Sequence, residues 1–207
     1  MANPQNIIFD FGGVLLNLDF NKTFTAFQQL GFQHFEKMFS QYTANDLFKK
    51  LETGHITPDE FYNTLISNHP KITRAEITEA WNAMLLDYRL PSLEFLEKIA
   101  PNHKLFLLSN TNAIHYDAFT KQFTEETGKA SIDDYFTKAY YSHLIHLRKP
   151  DDKIFEFVLK DAGIKAADTL FIDDSYNNIE AAAALGFRVH LLVPGETIET
   201  LSYFTSS

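Results

Sequence analysis

Cysteine is absent from the 207 residues. Its absence excludes disulfides, a thiolate nucleophile and any metal site built on sulfur, and it suits a reducing cytoplasm. Positive charge is scarce as well: 18 Lys and Arg stand against 27 Asp and Glu, a formal net charge of −9. That balance argues against nucleic acid or an acidic membrane surface as the main partner. It also means that an anionic substrate needs a local cation. No apolar run nears the roughly 18 residues of a membrane span. Asp10 interrupts the apolar start and the first basic residue is Lys22, a pattern that does not fit a signal peptide. Internal repeats, low-complexity tracts and long linkers are missing too. The expectation is a soluble, cytoplasmic protein with no nucleic-acid or membrane partner. What is present is ordinary for a folded chain, 45% hydrophobic and 22% charged. The length suffices for a sizeable core, as one domain or a domain with an insert.

The chain is organised around Asn6 to Leu16, NIIFDFGGVLL. Ile7, Ile8 and Phe9 form a short apolar run that fits a strand buried on both faces. Asp10 follows directly. An unpaired carboxylate inside such a strand is very costly, whereas the carboxyl end of a strand is where open α/β sheets place their ligands. Gly12 and Gly13 let the backbone turn there and approach a bound group closely. The plain alternative is a strand that ends in a glycine turn with an incidental aspartate.

From Phe20 the period changes. Phe24, Phe27 and Leu30, then Phe35 and Phe39, recur at helical spacing, with Gly31 separating two helices. Thr57-Pro58-Asp59-Glu60 is a capping box with proline at the first helical position, and Thr73 with Glu76 repeats the box. Residues 20–88 are therefore predicted to be a helical insert without strands, whose phenylalanine stripes pack helices together. His34, His55 and His69 in it read as surface or capping residues. After Pro91 helices and strands alternate. Strands are predicted at Lys104 to Leu108, Ala139 to Ser142, Thr169 to Ile172 and Phe187 to Val193. The pattern implies right-handed crossovers and an α/β, doubly wound, Rossmann-like parallel sheet of about five core strands. Residues 1–19 with 89–207 would form the core domain, interrupted after its first strand by residues 20–88.

Polar groups stand at three predicted strand ends: Asp10, Ser109-Asn110 and Asp173-Asp174. Lys149 enters ahead of the fourth strand. In a parallel sheet these groups converge above one edge. Two unit charges about 4 Å apart repel by roughly 4 kcal/mol at an effective dielectric near 20. Clustered aspartates with one lysine would therefore reject a phosphate, and a divalent cation resolves the conflict. Oxygen ligands favour magnesium, which shares phosphate oxygens. The set suits phosphoryl transfer, with an aspartate attacking phosphorus. Ser109 and the backbone N–H groups around Asn110 are placed to bind a phosphate oxygen, and Lys149 adds a point charge. Taken singly, Asp173-Asp174 also reads as a helix cap, and Lys149 as a solvated lysine.

Four motifs in order resemble the haloacid dehalogenase (HAD) superfamily: IIFDFGGVLL, LFLLSN, LRKPDDKIF and LFIDDSYNNIEAAAALGF. LFKKLETGHITPDEF resembles the caps of one phosphatase branch, and the chain also resembles the α-D-glucose-1-phosphate phosphatases of the superfamily. The resemblance implies a magnesium-dependent phosphatase that hydrolyses a small phosphorylated metabolite through an aspartyl-phosphate. By motif, Asp10 would be nucleophile and metal ligand, and the Gly12 carbonyl a further ligand. Ser109, Asn110 and Lys149 would bind phosphate, and Asp173 and Asp174 would serve the metal. One departure stands out. Most phosphatases of the superfamily carry an acid/base aspartate two positions after the nucleophile, and here that position is Gly12. The gap implies a leaving group that departs with little protonation. It also keeps open a metal- and phosphate-binding protein without turnover, and a haloacid dehalogenase is a further alternative. Monomer and dimer are equally compatible with an aromatic-rich cap.

Overall fold

Alternate residues along the sheet strands divide between two apolar layers, and that division defines the architecture. The computed structural model describes residues 4–39 and 45–204. In chain order the elements are β1 (Asn6–Phe9), β2 (Leu16–Leu18), α1 (Phe20–Gln29), α2 (Phe35–Met38), α3 (Asp46–Glu52), α4 (Pro58–Asn68) and α5 (Arg74–Asn82). Then come β3 (Leu85–Tyr88), α6 (Leu90–Ile99), β4 (Lys104–Ser109), α7 (Ala113–Thr127), β5 (Lys138–Tyr141) and α8 (Ser142–Ile145). The chain continues with α9 (Asp152–Ala162), β6 (Thr169–Asp173), α10 (Tyr176–Ala184) and β7 (Arg188–Leu191). The order across the five-stranded sheet is β5-β4-β1-β6-β7, and every neighbouring pair is parallel. Ile7, Phe9, Leu105, Leu107, Leu170 and Ile172 face Leu96 of α6 and Phe119 and Phe123 of α7. Ile8, Phe106, Leu108 and Phe171 face Phe155 and Val158 of α9 and Ile179 of α10. This is the predicted doubly wound parallel sheet, because strands buried on both faces are apolar at every position.

The helical stretch after β2 builds a third apolar cluster of its own. Trp81 is its centre, ringed by Phe27, Phe35, Phe39, Phe48 and Phe61. Both predicted capping boxes are formed, with Thr57 and Glu60 opening α4 and Thr73 and Glu76 opening α5. Gly31 takes a φ of 93° between α1 and α2. His34 is the N-cap residue of α2 and His69 the C-cap residue of α4.

One expectation is corrected. Residues 20–88 are not free of strand, because β3 pairs antiparallel with β2, Leu16 opposite Tyr88 and Leu18 opposite Leu85. LLDY is too short to show a period, and its partner lies some 70 residues away in sequence, beyond any local signal. The chain thus enters and leaves the helical stretch along one two-stranded ribbon. Among the described residues no helix is long and apolar enough to cross a membrane.

His115 on α7 joins the helical cluster to the sheet domain. Its ring stacks on Trp81 at 4.6 Å, and its Nε2 lies 3.1 Å from the Trp81 carbonyl oxygen. Burial pushes the imidazole from 6.5 down to about 4. A base depressed in this way is neutral when folded and takes up a proton on unfolding. The stability it carries at neutral pH is therefore lost as pH falls from 6.5 through about 4. Thermal melts across that window test this. The wild type is expected to lose up to about 3 kcal/mol more than His115→Gln, which keeps a donor to the carbonyl but does not titrate. Parallel pH profiles for the two proteins would rule out a neutral buried imidazole.

Candidate active site

The β1–β6 ladder continues one residue past β1, with the Asp10 N–H donating to the Ile172 carbonyl at 2.8 Å. Asp10 is thereby fixed at the carboxyl edge of the central strand. The next turn is closed by the Phe11 carbonyl, which accepts the N–H groups of Val14, Leu15 and Leu16. Gly13 sits in this turn at a φ of 75°, and a Cβ there would run into the Asp174 carboxylate. Position 13 therefore requires glycine for both its backbone and its neighbour.

Lys149 reaches the same edge from the opposite side. Its Nζ donates to Asp10 Oδ1 at 2.6 Å and to Asp173 Oδ2 at 2.7 Å, and the whole side chain is buried. Asn110 clamps the lysine backbone: its Nδ2 donates to the Lys149 carbonyl and its Oδ1 accepts the Lys149 N–H, both at 2.9 Å. The peptide between Lys149 and Pro150 is cis. Asp173 is held from its other side. Oδ1 accepts the Ser175 N–H at 2.8 Å, and Asn178 Nδ2 lies 3.0 Å from both oxygens. Asp173 is fully enclosed, whereas Asp174 lies on the wall of a cavity of about 120 Å³ that Asp10, Gly12, Ser109 and Lys149 also line.

Carboxylate oxygens of Asp10, Asp173 and Asp174 lie within 4.8 Å of one another. Three carboxylates against one ammonium leave two formal negative charges in excess. Burial first, then the charges of Asp173 and Asp174, raise Asp10 well above the usual carboxylate range against the pull of Lys149. Burial and Asp173 raise Asp174 likewise. Burial alone would lower Lys149, but the Asp10 and Asp173 carboxylates hold it above its ordinary value. All-oxygen donors with unbalanced negative charge fit a hard divalent cation. Position 12 is filled from elsewhere. Leu18 Cδ1 lies 2.5 Å from where a Cβ on Gly12 would stand, so a leucine methyl occupies the space of an acid/base side chain.

The sequence-predicted residues Asp10, Gly12, Ser109, Asn110, Lys149 and Asp174 thus share one cavity, with Asp173 directly behind it. Sequence reasoning missed Asn178 and Ser175 as supports of Asp173. It also missed that Asn110 spends its side-chain amide on the Lys149 backbone. From the other side, Glu52, Arg148 and His115 were not expected in the cavity wall, where the structure has them. No local pattern marks these residues, whose partners are distant in sequence. Ser175, Asn178, Arg148 and Glu52 stand inside the quoted motifs, which gave them no role, and only His115 lies outside them.

Comparison with known proteins gives a match to the family model described as haloacid dehalogenase-like hydrolase over residues 4–186. The chain belongs to this family. The D-ribitol-5-phosphate phosphatase of Bacteroides thetaiotaomicron is 34% identical over 186 residues, 89% of each chain. A crystal structure of a HAD family enzyme from Bacteroides thetaiotaomicron, an alanine variant in complex with magnesium and inorganic phosphate, is 35% identical. It covers 94% of this chain and 96% of that one, with a TM-score of 0.87. The structure of a HAD-like family hydrolase from Porphyromonas gingivalis is 32% identical, covers 94% of each chain and has a TM-score of 0.85. In this HAD-like hydrolase the lysine pairs with both Asp10 and Asp173. Lys149→Met leaves buried carboxylates unpaired and is expected to cost about 3–5 kcal/mol. The readout is the urea midpoint at unchanged m-value; a midpoint equal to wild type would mean that the carboxylates are neutral.

Proposed function

We propose that this hydrolase is a magnesium-dependent phosphatase of small phosphorylated metabolites, polyol or sugar phosphates, working through an aspartyl-phosphate on Asp10. The observation that carries the reading is the buried Asp10 carboxylate, 2.6 Å from the Lys149 ammonium, which lines one cavity together with Asp174. The names of the similar proteins and the magnesium and phosphate bound in one of them support it. Residues 1–19 with 89–207 are assigned as the catalytic core and residues 20–88 as a helical cap, in line with the separate apolar cluster around Trp81.

An Asp10 oxygen attacks phosphorus in line with the ester oxygen; the P–O ester bond breaks and the leaving oxygen takes a proton from solvent water, a proton that the attacking water of the next step returns. Water then attacks the same phosphorus, the acyl-phosphate bond breaks, and inorganic phosphate and the carboxylate are restored. Lys149 orients Asp10 and offers charge to a non-bridging oxygen. Ser109 and the backbone N–H groups beside Asn110 receive another. Asp10, the Gly12 carbonyl and Asp174 would hold magnesium, which would supply positive charge to offset the phosphoryl oxygens. Asp173, its oxygens already engaged by Lys149, Ser175 and Asn178, serves this set by anchoring the lysine. Gly12 supplies no proton, so alcohols that leave readily are the faster substrates.

Phosphate release from a panel of polyol, sugar and nucleoside phosphates tests the reading. Asp10→Asn is expected to lower turnover by at least about 10³-fold. Chelation is expected to abolish turnover and added magnesium to restore it. Chelator-insensitive turnover of a 2-haloacid would overturn the assignment, as would phosphate binding without release.

A further inference from the structure

Trp81, the centre of the helical cluster, is fully buried, yet it holds two side chains that line the cavity, Asn112 and His115. Both stand at the start of α7. Asn112 Oδ1 accepts the Trp81 indole N–H at 3.4 Å and the N–H groups of Ile114 and His115 at 3.1 Å. The Trp81 carbonyl oxygen accepts from His115 Nε2 and from the Thr23 hydroxyl, each at 3.1 Å. The imidazole lies stacked on the indole.

These contacts decide the tautomer. A carbonyl oxygen can only accept, so Nε2 carries the ring proton and Nδ1 keeps its lone pair. Burial holds the ring neutral at neutral pH. Nδ1 forms no hydrogen bond among the described residues, and it is not sealed as Nδ1 of His143 is. His115 keeps 7% of its surface accessible, and it lines the cavity. The amide oxygens of the neighbouring asparagines are spent, Asn110 Oδ1 on the Lys149 N–H and Asn112 Oδ1 on its three donors. His115 thus offers an acceptor that the protein leaves unused.

The place of the ring follows from the helix. His115 stands three residues after the N-cap Asn112, about one turn or roughly 5 Å along the axis. Helical side chains lean toward the N-terminus. The ring therefore leans back over the loop of Ser109 to Asn112, which the phosphatase reading assigns to phosphoryl oxygens, and a short carbon chain spans a distance of that order. We propose that His115 Nδ1 takes a hydrogen bond from a hydroxyl on the leaving group; the inference rests on the phosphatase reading. A hydroxyl donates to a bare ring nitrogen, whereas an alkyl group has nothing to donate. Trp81 contributes to this choice without touching the substrate, because its carbonyl fixes which ring nitrogen is free.

Imidazole nitrogen NMR reads the contact directly. In Asp10→Asn with magnesium, the unprotonated Nδ1 resonance of His115 is expected to move upfield when a pentitol 5-phosphate binds. With n-pentyl phosphate, the same chain length without hydroxyls, it is expected to stay in place. Kinetics give a second reading. His115→Phe keeps a ring against Trp81, and Thr23 still donates to the Trp81 carbonyl. Relative to wild type it is expected to lower kcat/KM for the pentitol ester about 10-fold, mainly through KM, and to leave that for n-pentyl phosphate unchanged. His115→Gln, which keeps a donor and an acceptor on one side chain, should recover part of the loss. A resonance unmoved by the pentitol ester, or equal losses on both esters, overturns the proposal, while phosphate release by the wild type keeps the phosphatase reading. No release from either ester by the wild type brings down both. Melting curves establish folding, and should the Phe variant be unfolded, the resonance decides, since it is read on the unaltered ring.

Discussion

One ammonium shared by two buried carboxylates is the constraint on which this molecule turns. Lys149 binds Asp10 at the end of β1 and Asp173 at the end of β6, and so ties together the ends of two adjacent strands. Without it the carboxyl edge of the sheet would carry uncompensated charge in a place that excludes water. With it the edge is still short of positive charge. That shortfall distinguishes a site built to receive something from a satisfied structural ion pair. The supports are arranged accordingly: Asn110 fixes the lysine backbone, Asn178 and Ser175 fix Asp173, and Asp10 and Asp174 line the cavity.

Above this edge the chemistry changes character. The ends of the sheet strands and the loops beside them contribute charge and hydrogen-bonding groups, whereas the helical stretch contributes Phe20, Phe39, Met84, Leu85 and one carboxylate, Glu52. Leu18 fills the space over Gly12 that an acid/base side chain would need. Burial of Lys149 and Asp173 keeps the interaction between them strong. The cavity thus has two different surfaces, one set by strand termini and the other by helix packing.

Much of this was legible in the sequence, for reasons that are local. Ile7-Ile8-Phe9 before Asp10, and Leu170-Phe171-Ile172 before Asp173, read as buried strands because every position is apolar, and the first polar residue marks the sheet edge. Thr57 and Thr73 read as helix starts because a capping box is complete within four residues. What failed was non-local. The pairing of Leu85–Tyr88 with Leu16–Leu18 depends on a partner across the whole helical stretch. Glu52 meets Arg148, and Asn110 meets Lys149, only after the chain has folded. The tandem aspartates looked equivalent in the sequence, yet one is enclosed by donors and the other faces the cavity, a distinction made by Asn178 five residues on.

The ribbon of β2 and β3 has an architectural consequence. Since Leu18 and Leu85 stand opposite each other, the excursion of the chain over the sheet departs and returns through a single doorway. Strand order and the catalytic edge are complete without knowledge of what lies beyond that doorway. A helical body of another length whose two ends meet at strand spacing would fit the same doorway without altering the order of the five-stranded sheet.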